Sequence, residues 1–356
     1  MLVNTLKVAE NVFDRYETKH NAISNYFGIL AYYALAQVAD ASESKTLIKK
    51  CADYLELYPD NFEHPSYKFE AYRVGGIAKA WLFLKDYMPQ TAEDLRKFAD
   101  ITMDSPRSKE GILCHPVFTE RIWIDTVAFV TPFMLYIGQK LGVEKYIDYA
   151  VDLCFKSYDL FLDKTNGLLH QSKGFLSNPE RLSSDHWSRG NGWGYFGLTE
   201  LVQYLPEDSP YRNKAIELYI AHTDALLEHQ TKRGLWRQEI PEELAWYESS
   251  GSGLILYGIG VGIRCGILKD RKYFQALKKG IDAIAKYCIT KEYMTRMSCP
   301  GCLCPGDGAE KGTPKAYLTE KFPQDDEPHS YGCIMLALVE VYKNGITQID
   351  IPDQNY

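Results

Sequence analysis

Six strongly apolar stretches recur along the chain, and each carries apolar residues on nearly every side of the helix that it would form. A helix of that composition has little exposure to water, so the stretches predict buried helices. Most of them also contain glycine, which lets neighbouring helices approach closely. The six stretches span residues 28–36, 75–84, 127–138, 192–201, 253–263 and 331–341.

More polar, amphipathic stretches separate the apolar ones, and their spacing also indicates helices. Buried and half-exposed helices therefore alternate along the sequence, which is typical of a repeat of helical hairpins. The amphipathic stretches span residues 44–57, 91–103, 143–162, 211–229 and 270–287.

This alternation predicts an all-α fold, with residues 1–356 forming one domain. Strand signals are sparse, since no sustained Val/Ile/Thr alternation is bounded by two-residue turns. We expect an (α/α)6 toroid, in which six inner helices form a closed ring and six outer helices surround it. An open α-solenoid is the alternative, but its ends need polar capping repeats that the sequence lacks. In a closed ring, the loops that lead into the inner helices line a central bowl.

Composition excludes some classes of partner. The chain has 356 residues, 46% of them hydrophobic, and a formal net charge of -7. No run of Lys or Arg resembles a nucleic-acid footprint, so we expect neither DNA nor RNA as a partner. A small acidic ligand remains compatible with the net charge, because one arginine can hold it locally. The oligomeric state is left open.

The cysteines and the apolar segments bear on location. No stretch reaches the roughly eighteen apolar residues of a membrane span, and the N-terminus lacks the pattern of a signal peptide. Nine cysteines, an odd number lying in apolar segments, indicate reduced thiols rather than a disulfide framework. We therefore expect a cytoplasmic protein that does not bind membranes. A periplasmic location stays open if a signal peptide has been removed.

The segment Trp187-Ser-Arg189-Gly-Asn-Gly-Trp193 carries the clearest candidate chemistry. Aromatic faces suit the apolar face of a sugar ring, and the fork of Arg189 suits a carboxylate. An acidic sugar is therefore the first ligand to consider. The alternative is structural: tryptophans near a helix start often pack in the core, and Gly-Asn-Gly often forms a plain turn.

Several motifs together resemble glycoside hydrolase families 88 and 105, the unsaturated glucuronyl and rhamnogalacturonyl hydrolases. They occur in the family order over about two-thirds of the chain. The first is the most specific, and the others are specific chiefly in combination. The motifs are Trp187–Trp193, Trp123-Ile-Asp125-Thr126, Gly234-Leu-Trp236, Glu248-Ser-Ser-Gly-Ser and Pro328-His-Ser-Tyr-Gly.

The resemblance implies a six-hairpin toroid and an unusual reaction that needs no cofactor. The substrate would be an oligosaccharide left by a polysaccharide lyase, whose terminal uronic acid has a C4=C5 double bond. An aspartic acid protonates the alkene and helps water to add across it. The hemiketal formed then opens and releases a deoxy-keto uronic acid. The two-carboxylate geometry of ordinary glycosidases is not required.

Asp125 matches the catalytic acid by its place in Trp-x-Asp-Thr, and Arg189 matches the residue that receives the uronate carboxylate. An acid must be protonated at working pH, so we expect burial beside Trp123 to raise the pKa of Asp125. The alternative roles are a helix cap for Asp125 and a surface salt bridge for Arg189.

His170, in Gly-Leu-Leu-His, matches a family histidine of the same subsite and is the second catalytic candidate, although core histidines are common. Trp123, Trp187 and Trp193 are predicted to contact the sugar, with packing as the rival role for the last two. Trp236, with Trp246 as a weaker candidate, would extend the rim of the bowl toward the next sugar.

One region departs from the family pattern. The family has a second aspartate at the start of the second inner helix, but residues 67–76 contain none. Glu70, Tyr72 or Arg73 takes its place, depending on the gap. Glu70 would keep a carboxyl group near the sugar, whereas Arg73 would add positive charge, so both are candidate substrate-binding residues. An altered substrate or lost activity follows as a possibility.

The cluster Cys299-Pro-Gly-Cys302-Leu-Cys304 is half of a zinc pattern, and Cys288 or His329 would have to complete it. No second Cys-x-x-Cys exists, and the prolines and glycines indicate a turning loop. We therefore predict no metal site. The Gly-rich segment that follows, 306–313, lacks the Walker spacing and is not predicted to bind phosphate.

Three functions remain open on the sequence alone. The first is the unsaturated uronyl hydrolase. The second is a sugar epimerase or polysaccharide lyase on the same toroid, for which the tyrosines of 67–72 offer a candidate base. The third is a carbohydrate-binding protein that has lost activity.

Overall fold

The computed structural model describes residues 2–20, 25–59, 76–114 and 120–352. Thirteen α-helices lie in these ranges. They are α1 Thr5–Lys19, α2 Tyr26–Ala41, α3 Lys45–Glu56, α4 Ile77–Leu84, α5 Ala92–Met103, α6 Asp125–Leu141, α7 Glu144–Phe161, α8 Ser188–Tyr204, α9 Arg212–Glu228, α10 Ser249–Arg264, α11 Arg271–Ala283, α12 Pro314–Glu320 and α13 His329–Lys343. A π-helical turn, Ile284–Cys288, continues α11.

Six of the helices form a closed inner ring. Along the ring, α2 contacts α4, and contacts then follow between α4 and α6, α6 and α8, α8 and α10, and α10 and α13. Helix α13 packs back on α2, which closes the ring. The predicted (α/α)6 toroid is confirmed, and the open solenoid is wrong because its first and last inner helices would not touch.

The outer layer consists of α1, α3, α5, α7, α9 and α11, each packed against the inner ring. Five of the predicted apolar stretches lie within inner helices, and the described part of the stretch 75–84 coincides with α4 apart from its cap, Gly76. The inner helices are buried along most of their length. The five predicted amphipathic stretches match α3, α5, α7, α9 and α11. The sequence analysis did not single out α1, the sixth outer helix, which packs on α13.

Glycines set the close approach of neighbouring inner helices. A Cβ built on Gly253 in α10 would lie 2.7 Å from the carbonyl carbon of Cys333 in α13. A Cβ on Gly332 would lie 2.9 Å from the backbone of Ala31 in α2. Both neighbours are backbone atoms, which cannot move aside without shifting a helix. The ring therefore closes at these points only because a side chain is absent.

Replacing Gly253 by Ala should lower the free energy of unfolding by about 1–3 kcal/mol, the usual cost of overpacking a core. Urea unfolding would measure it. Gly301→Ala is the matched control, since its Cβ would meet only His329 Cε1, at 3.9 Å. Equal stability of the two variants would contradict the packing argument.

Three two-stranded ribbons tie loops together. Strand β1 Leu2–Asn4 pairs with β6 Gln348–Asp350 and joins the two ends of the described chain. Strand β2 Ile122–Trp123 pairs with β3 Ser172–Lys173, and β4 Trp236–Arg237 pairs with β5 Tyr247–Glu248. Strands β2 and β5 lead directly into α6 and α10, so the ribbons fix where these inner helices begin.

A buried polar cluster fills the ring away from the starts of its helices. Glu200, near the end of α8, accepts hydrogen bonds from Tyr136 and Tyr257. The Tyr33 hydroxyl lies 2.8 Å from the Tyr136 hydroxyl. Burial raises the pKa of Glu200 to about 7, against the effect of its tyrosine hydrogen bonds. The polar side chains of this cluster thus hydrogen-bond to one another.

No described helix combines the length and apolarity needed to cross a bilayer. All nine cysteines lie in the described ranges, where none forms a disulfide and seven are buried. The burial of seven thiols agrees with the sequence prediction.

Candidate active site

The N-terminal ends of the inner helices bring the candidate residues together. Asp125 is the first residue of α6, and Arg189 is the second residue of α8. Tyr26 begins α2 and its hydroxyl lies 2.6 Å from Nε2 of His329, which begins α13. Arg189 donates a 3.0 Å hydrogen bond to Ser250 of α10. The positive ends of several helix dipoles thus meet at one end of the ring, which favours an anionic ligand.

Asp125 does not occupy the capping position of α6, which Ile124 holds without a side-chain bond. Among the described residues, the buried Oδ1 of Asp125 has no hydrogen-bond partner. Burial raises the pKa of Asp125 to about 7, although the positive charge of Arg189 opposes the shift. The carboxyl group is therefore partly protonated at neutral pH, as general-acid catalysis requires.

Arg189 is a fully buried cation. Its guanidinium lies 4.3 Å from the centre of the Trp187 ring and donates hydrogen bonds to the carbonyls of Cys299 and Pro300. Among the described residues, no carboxylate lies within salt-bridge distance of it, and Nε has no partner. The negative charges of Glu248 and Glu327 stabilise this buried cation at longer range, and its unpaired Nε–H still favours an anionic group.

Glu248 shapes the loop that holds Arg189. It caps α10 by accepting from the N–H groups of Ser250 and Gly251, at 3.0 and 2.6 Å. It also accepts from the Ser188 hydroxyl at 3.1 Å and from Cys299 N at 2.9 Å. One carboxylate therefore joins the starts of α8 and α10 to the cysteine-containing loop.

The two tryptophans of the motif are buried, with 1% of each side chain exposed. Trp193 packs on Phe129 and Tyr26, with ring centres 5.0 and 6.2 Å apart. Neither indole N–H has a hydrogen-bond partner in the described parts of the chain. Buried polar atoms are normally paired, so Trp187 Nε1, Trp193 Nε1, Arg189 Nε and Asp125 Oδ1 form a set of unsatisfied groups around the motif.

A further carboxyl pair lies beside the motif. Asp185 Oδ2 accepts from Trp187 N at 3.4 Å, and Glu239 accepts from His186 N at 2.8 Å. Both side chains are fully buried, and each leaves one oxygen without a partner among the described residues. Burial raises both pKa values, and for Glu239 the charge of Asp185 adds to the increase. Burial thus favours the neutral form of each carboxyl group.

The comparisons agree with this architecture. The family model described as Glycosyl Hydrolase Family 88 matches residues 4–345. The chain belongs to Glycosyl Hydrolase Family 88.

Two curated relatives are each named "Unsaturated 3S-rhamnoglycuronyl hydrolase". The protein from Alteromonas sp. strain LOR is 31% identical over 46% of this chain and 40% of its own length. The protein from Formosa agariphila is 30% identical over 46% of each chain. The matches thus span less than half the length of both relatives.

A solved structure shares the fold. The Family 105 glycoside hydrolase of C. acetobutylicum ATCC 824 superposes with a TM-score of 0.79 at 21% identity, covering 94% of this chain and 99% of that one. At this identity the similarity concerns the fold alone.

His170 is placed differently from the other motif residues of this family member. Its Nδ1 lies 3.3 Å from the Asp185 carbonyl oxygen, and its Nε2 lies 3.9 Å from Asp163 Oδ2. Its ring packs on His186 with centres 4.7 Å apart. His170 therefore faces a polar cluster behind Asp185, and its described contacts do not join it to Asp125 or Arg189.

The remaining tryptophans differ in exposure. Trp123 is half-buried on β2, two residues before Asp125, and packs edge-on against Phe175 at 5.9 Å. Trp246 is half-buried and donates to the Lys321 carbonyl at 3.1 Å. Trp236 is fully buried and donates to the Leu226 carbonyl at 2.7 Å. Its predicted substrate contact stays a prediction, since Trp187 and Trp193 of the motif are buried to the same degree.

Glu70, Tyr72 and Arg73 lie outside the described residues. The replacement for the family's second aspartate therefore stays a prediction. In the cysteine loop, a hydrogen bond with Cys302 and the charge of Arg189 outweigh burial and lower the pKa of Cys299.

The sequence analysis missed several residues at this end of the ring. Glu327 is 2.5 Å from His329 Nδ1, whose hydrogen bond outweighs burial and lowers the Glu327 pKa. Tyr26, Asp185 and Glu239 were also missed. Position along the sequence could have pointed to two of these residues. Tyr26 lies two residues before the apolar stretch 28–36, and Asp185 lies two residues before Trp187. Nothing comparable marks Glu239.

The Asp125 pKa predicts how turnover depends on pH. Because the acid must be protonated, we expect kcat to fall above about pH 7, approaching tenfold per pH unit. Initial rates measured from about pH 5 to 9 check this. A profile flat through neutral pH would contradict an acid role for Asp125.

The raised pKa of Asp125 also predicts how the free energy of unfolding depends on pH. A carboxyl group whose folded pKa is raised stays protonated in the folded protein while the unfolded chain has lost its proton. The free energy of unfolding should therefore fall as pH rises from about 4 to 7. Glu200 contributes the same sign. Asp125→Asn should remove part of this slope, and an unchanged slope would argue against the raised Asp125 pKa.

Proposed function

We propose that the chain removes a 4,5-unsaturated uronic acid from lyase-derived oligosaccharides by hydrating its double bond. The observation that carries the proposal is the pairing of a half-buried, partly protonated Asp125 with a buried Arg189 that has no carboxylate partner among the described residues. An unsaturated uronic acid presents a carboxylate directly beside its alkene. One ligand would therefore satisfy both groups.

In the proposed reaction, Arg189 Nε and the two unpaired indole N–H groups bind and orient the sugar. Asp125 donates its proton to C4, and the cation that forms at C5 is stabilised by the ring oxygen. Water adds to C5 and returns a proton to the Asp125 carboxylate. The C5 hemiketal then opens by breaking the C5–O5 bond, which leaves a ketone at C5 and a hemiacetal at C1. The hemiacetal collapses to an aldehyde, and its hydroxyl proton passes to the departing second sugar, which leaves as an alcohol. The acid is restored at the end of the cycle.

The two rival functions find less support. The base considered for an epimerase or a lyase, a tyrosine of 67–72, lies outside the described residues, so no described contact supports it. A binding protein has no need of an acid with a raised pKa. Membership of a glycosyl hydrolase family also favours hydrolysis.

The decisive experiment follows the ultraviolet absorbance of the conjugated alkene, which hydration destroys. The panel should contain lyase-generated disaccharides from ulvan, rhamnogalacturonan, pectin, chondroitin, heparin and alginate. Two relatives are named for 3S-rhamnoglycuronyl substrates, so rhamnose-linked members are tested first. Loss of absorbance with release of the second sugar would support the proposal. Intact substrates throughout, by mass spectrometry, would overturn it.

We propose an acidic oligosaccharide as the partner and a cytoplasmic site of action. The nine unpaired cysteines support the latter. Fractionation of the native host would test it.

A further inference from the structure

Two cysteines of the cysteine loop, residues 299–304, lie in contact and take no part in the proposed hydrolysis. Cys299 and Cys302 are the ends of a Cys-Pro-Gly-Cys turn, and their side chains are hydrogen-bonded to each other without forming a disulfide. Cys299 packs in a small apolar cluster with Trp187 and Tyr317, and Cys302 packs against that cluster. Such a pair suits either half of a metal site or a dithiol that closes to a disulfide.

The surroundings of the pair argue against a metal ion. A structural zinc site needs four ligands. In the described ranges, the two thiols belong to no group of three or more His, Cys, Asp or Glu side chains that could hold a metal ion. Cys304, the third cysteine of the loop, lies instead against Gly312, where an added Cβ would meet its Sγ at 2.7 Å. The dithiol reading therefore has the better support.

The two thiols differ in exposure and in acidity, as the members of a redox-active pair usually do. Cys302 is half-buried, whereas Cys299 is fully buried. Burial opposes the ionisation of Cys299, but the hydrogen bond with Cys302 and the charge of Arg189 outweigh it and lower the Cys299 pKa. Burial and the same hydrogen bond raise the pKa of Cys302. When the pair loses one proton, the negative charge therefore settles on Cys299.

The same turn holds Arg189 in place. Cys299 N is fixed by its 2.9 Å hydrogen bond to Glu248, and the carbonyls of Cys299 and Pro300 accept from the guanidinium of Arg189. A disulfide needs sulfur atoms about 2.05 Å apart and Cβ atoms about 3.8 Å apart. That is much closer than hydrogen-bonded sulfur atoms lie. Closing a bond between Cys299 and Cys302 would therefore displace the carbonyls that position Arg189.

We propose that Cys299 and Cys302 form a reversible dithiol–disulfide couple that exchanges with low-molecular-weight disulfides. From the state with one proton, Cys302 passes that proton to Cys299 along their hydrogen bond and attacks the co-reactant as a thiolate. The thiolate that leaves takes the proton of Cys299, and Cys302 is left in a mixed disulfide. The Cys299 thiolate then displaces the second thiolate, which water protonates. The protein pair loses two electrons, and the co-reactant is reduced to two thiols.

The couple would be reduced at rest in the cytoplasm proposed above, where disulfides are usually transient and redox-sensing. Oxidation should raise KM for the unsaturated disaccharide about tenfold, the effect of losing one hydrogen bond to a charged group, because the carbonyls around Arg189 move. This consequence rests on the proposed hydrolysis, whereas formation of the disulfide does not. An oxidised enzyme that turns over with unchanged KM would overturn the coupling to Arg189.

Alkylation of the whole protein at graded ratios of oxidised to reduced glutathione tests the couple. After a denaturing quench with iodoacetamide, the reduced chain should carry nine alkylated cysteines. We expect two fewer as the ratio rises through a single transition, and a peptide map that joins Cys299 to Cys302. Dithiothreitol should restore both thiols. Nine alkylated cysteines at every ratio, or a bond between other cysteines, would overturn the proposal, whatever the outcome of the hydrolase assay.

Single variants test the order of attack. Cys299→Ser should trap a mixed disulfide between glutathione and Cys302, whereas Cys302→Ser should trap none on the buried Cys299. The opposite result would overturn the role of Cys302 as the attacking thiol. Cys304→Ser is the matched control from the same loop, and it should still form the bond between Cys299 and Cys302. Circular dichroism checks folding, and the wild-type peptide map decides the question if a variant fails to fold.

Discussion

Asp125→Asn should reduce kcat on the preferred unsaturated disaccharide by about 10²–10⁴-fold, the usual contribution of a general acid. The amide has nearly the same shape but no proton of suitable acidity to give to C4. Because Oδ1 has no partner among the described residues, no described hydrogen bond to that atom is lost. We therefore expect KM to change little. Initial rates from the loss of alkene absorbance give both constants.

The matched control is Glu200→Gln. It also neutralises a buried carboxyl group with a pKa raised to about 7, but in the cluster away from the starts of the inner helices. It should alter stability while leaving kcat near the wild-type value. If both variants keep full turnover, Asp125 is not the acid. If both lose it equally, the loss reflects damage to the ring rather than chemistry.

Arg189→Lys should lower kcat/KM by about 10–100-fold, mainly through a higher KM, since hydrogen bonds to charged groups contribute about 1.5–3 kcal/mol. Lysine keeps the charge but cannot hold the Cys299 and Pro300 carbonyls and also present a donor to a uronate. The melting temperature should fall as well, because those carbonyls lose their donor. Michaelis kinetics and thermal unfolding measure the two effects separately.

Arg264→Lys provides the comparison. Arg264 is an arginine at the opposite end of α10, where it pairs with Glu340 at 2.8 Å and binds Gln203. Its replacement should lower stability without raising KM. An Arg189→Lys variant with unchanged KM would refute the carboxylate role while leaving its structural role intact.

The sequence predicted the architecture well because the helices of the toroid follow from local patterns of apolar and polar residues. Apolar and amphipathic helices alternate, and this alternation alone separates inner from outer layers. The sequence analysis did not identify helix α1. This helix precedes the first apolar stretch, so no earlier apolar helix marks it as half of a hairpin. The glycines of the apolar stretches predicted close approach of the inner helices, and the contacts of Gly253 and Gly332 bear this out.

Within the candidate site, the sequence determined which residue types stand at the starts of the inner helices. Asp125 and Arg189 could be named from motifs, because each lies beside aromatic or glycine-rich neighbours that single it out. The protonation state of Asp125 could not be predicted from the sequence. Its pKa depends on burial and on the charge of Arg189, which lies sixty-four positions later in the chain.

Only the tertiary structure decided which side chains are buried and which groups they contact. It buried Trp236 in the core, although its motif resembled those of the rim residues. It turned His170 toward Asp163 and His186, which lie on different loops. It also placed Glu239, from a loop with no distinctive motif, beside Asp185. Local sequence specifies helices and their starts, but packing between distant segments sets burial, and burial sets the protonation and partners of each polar group.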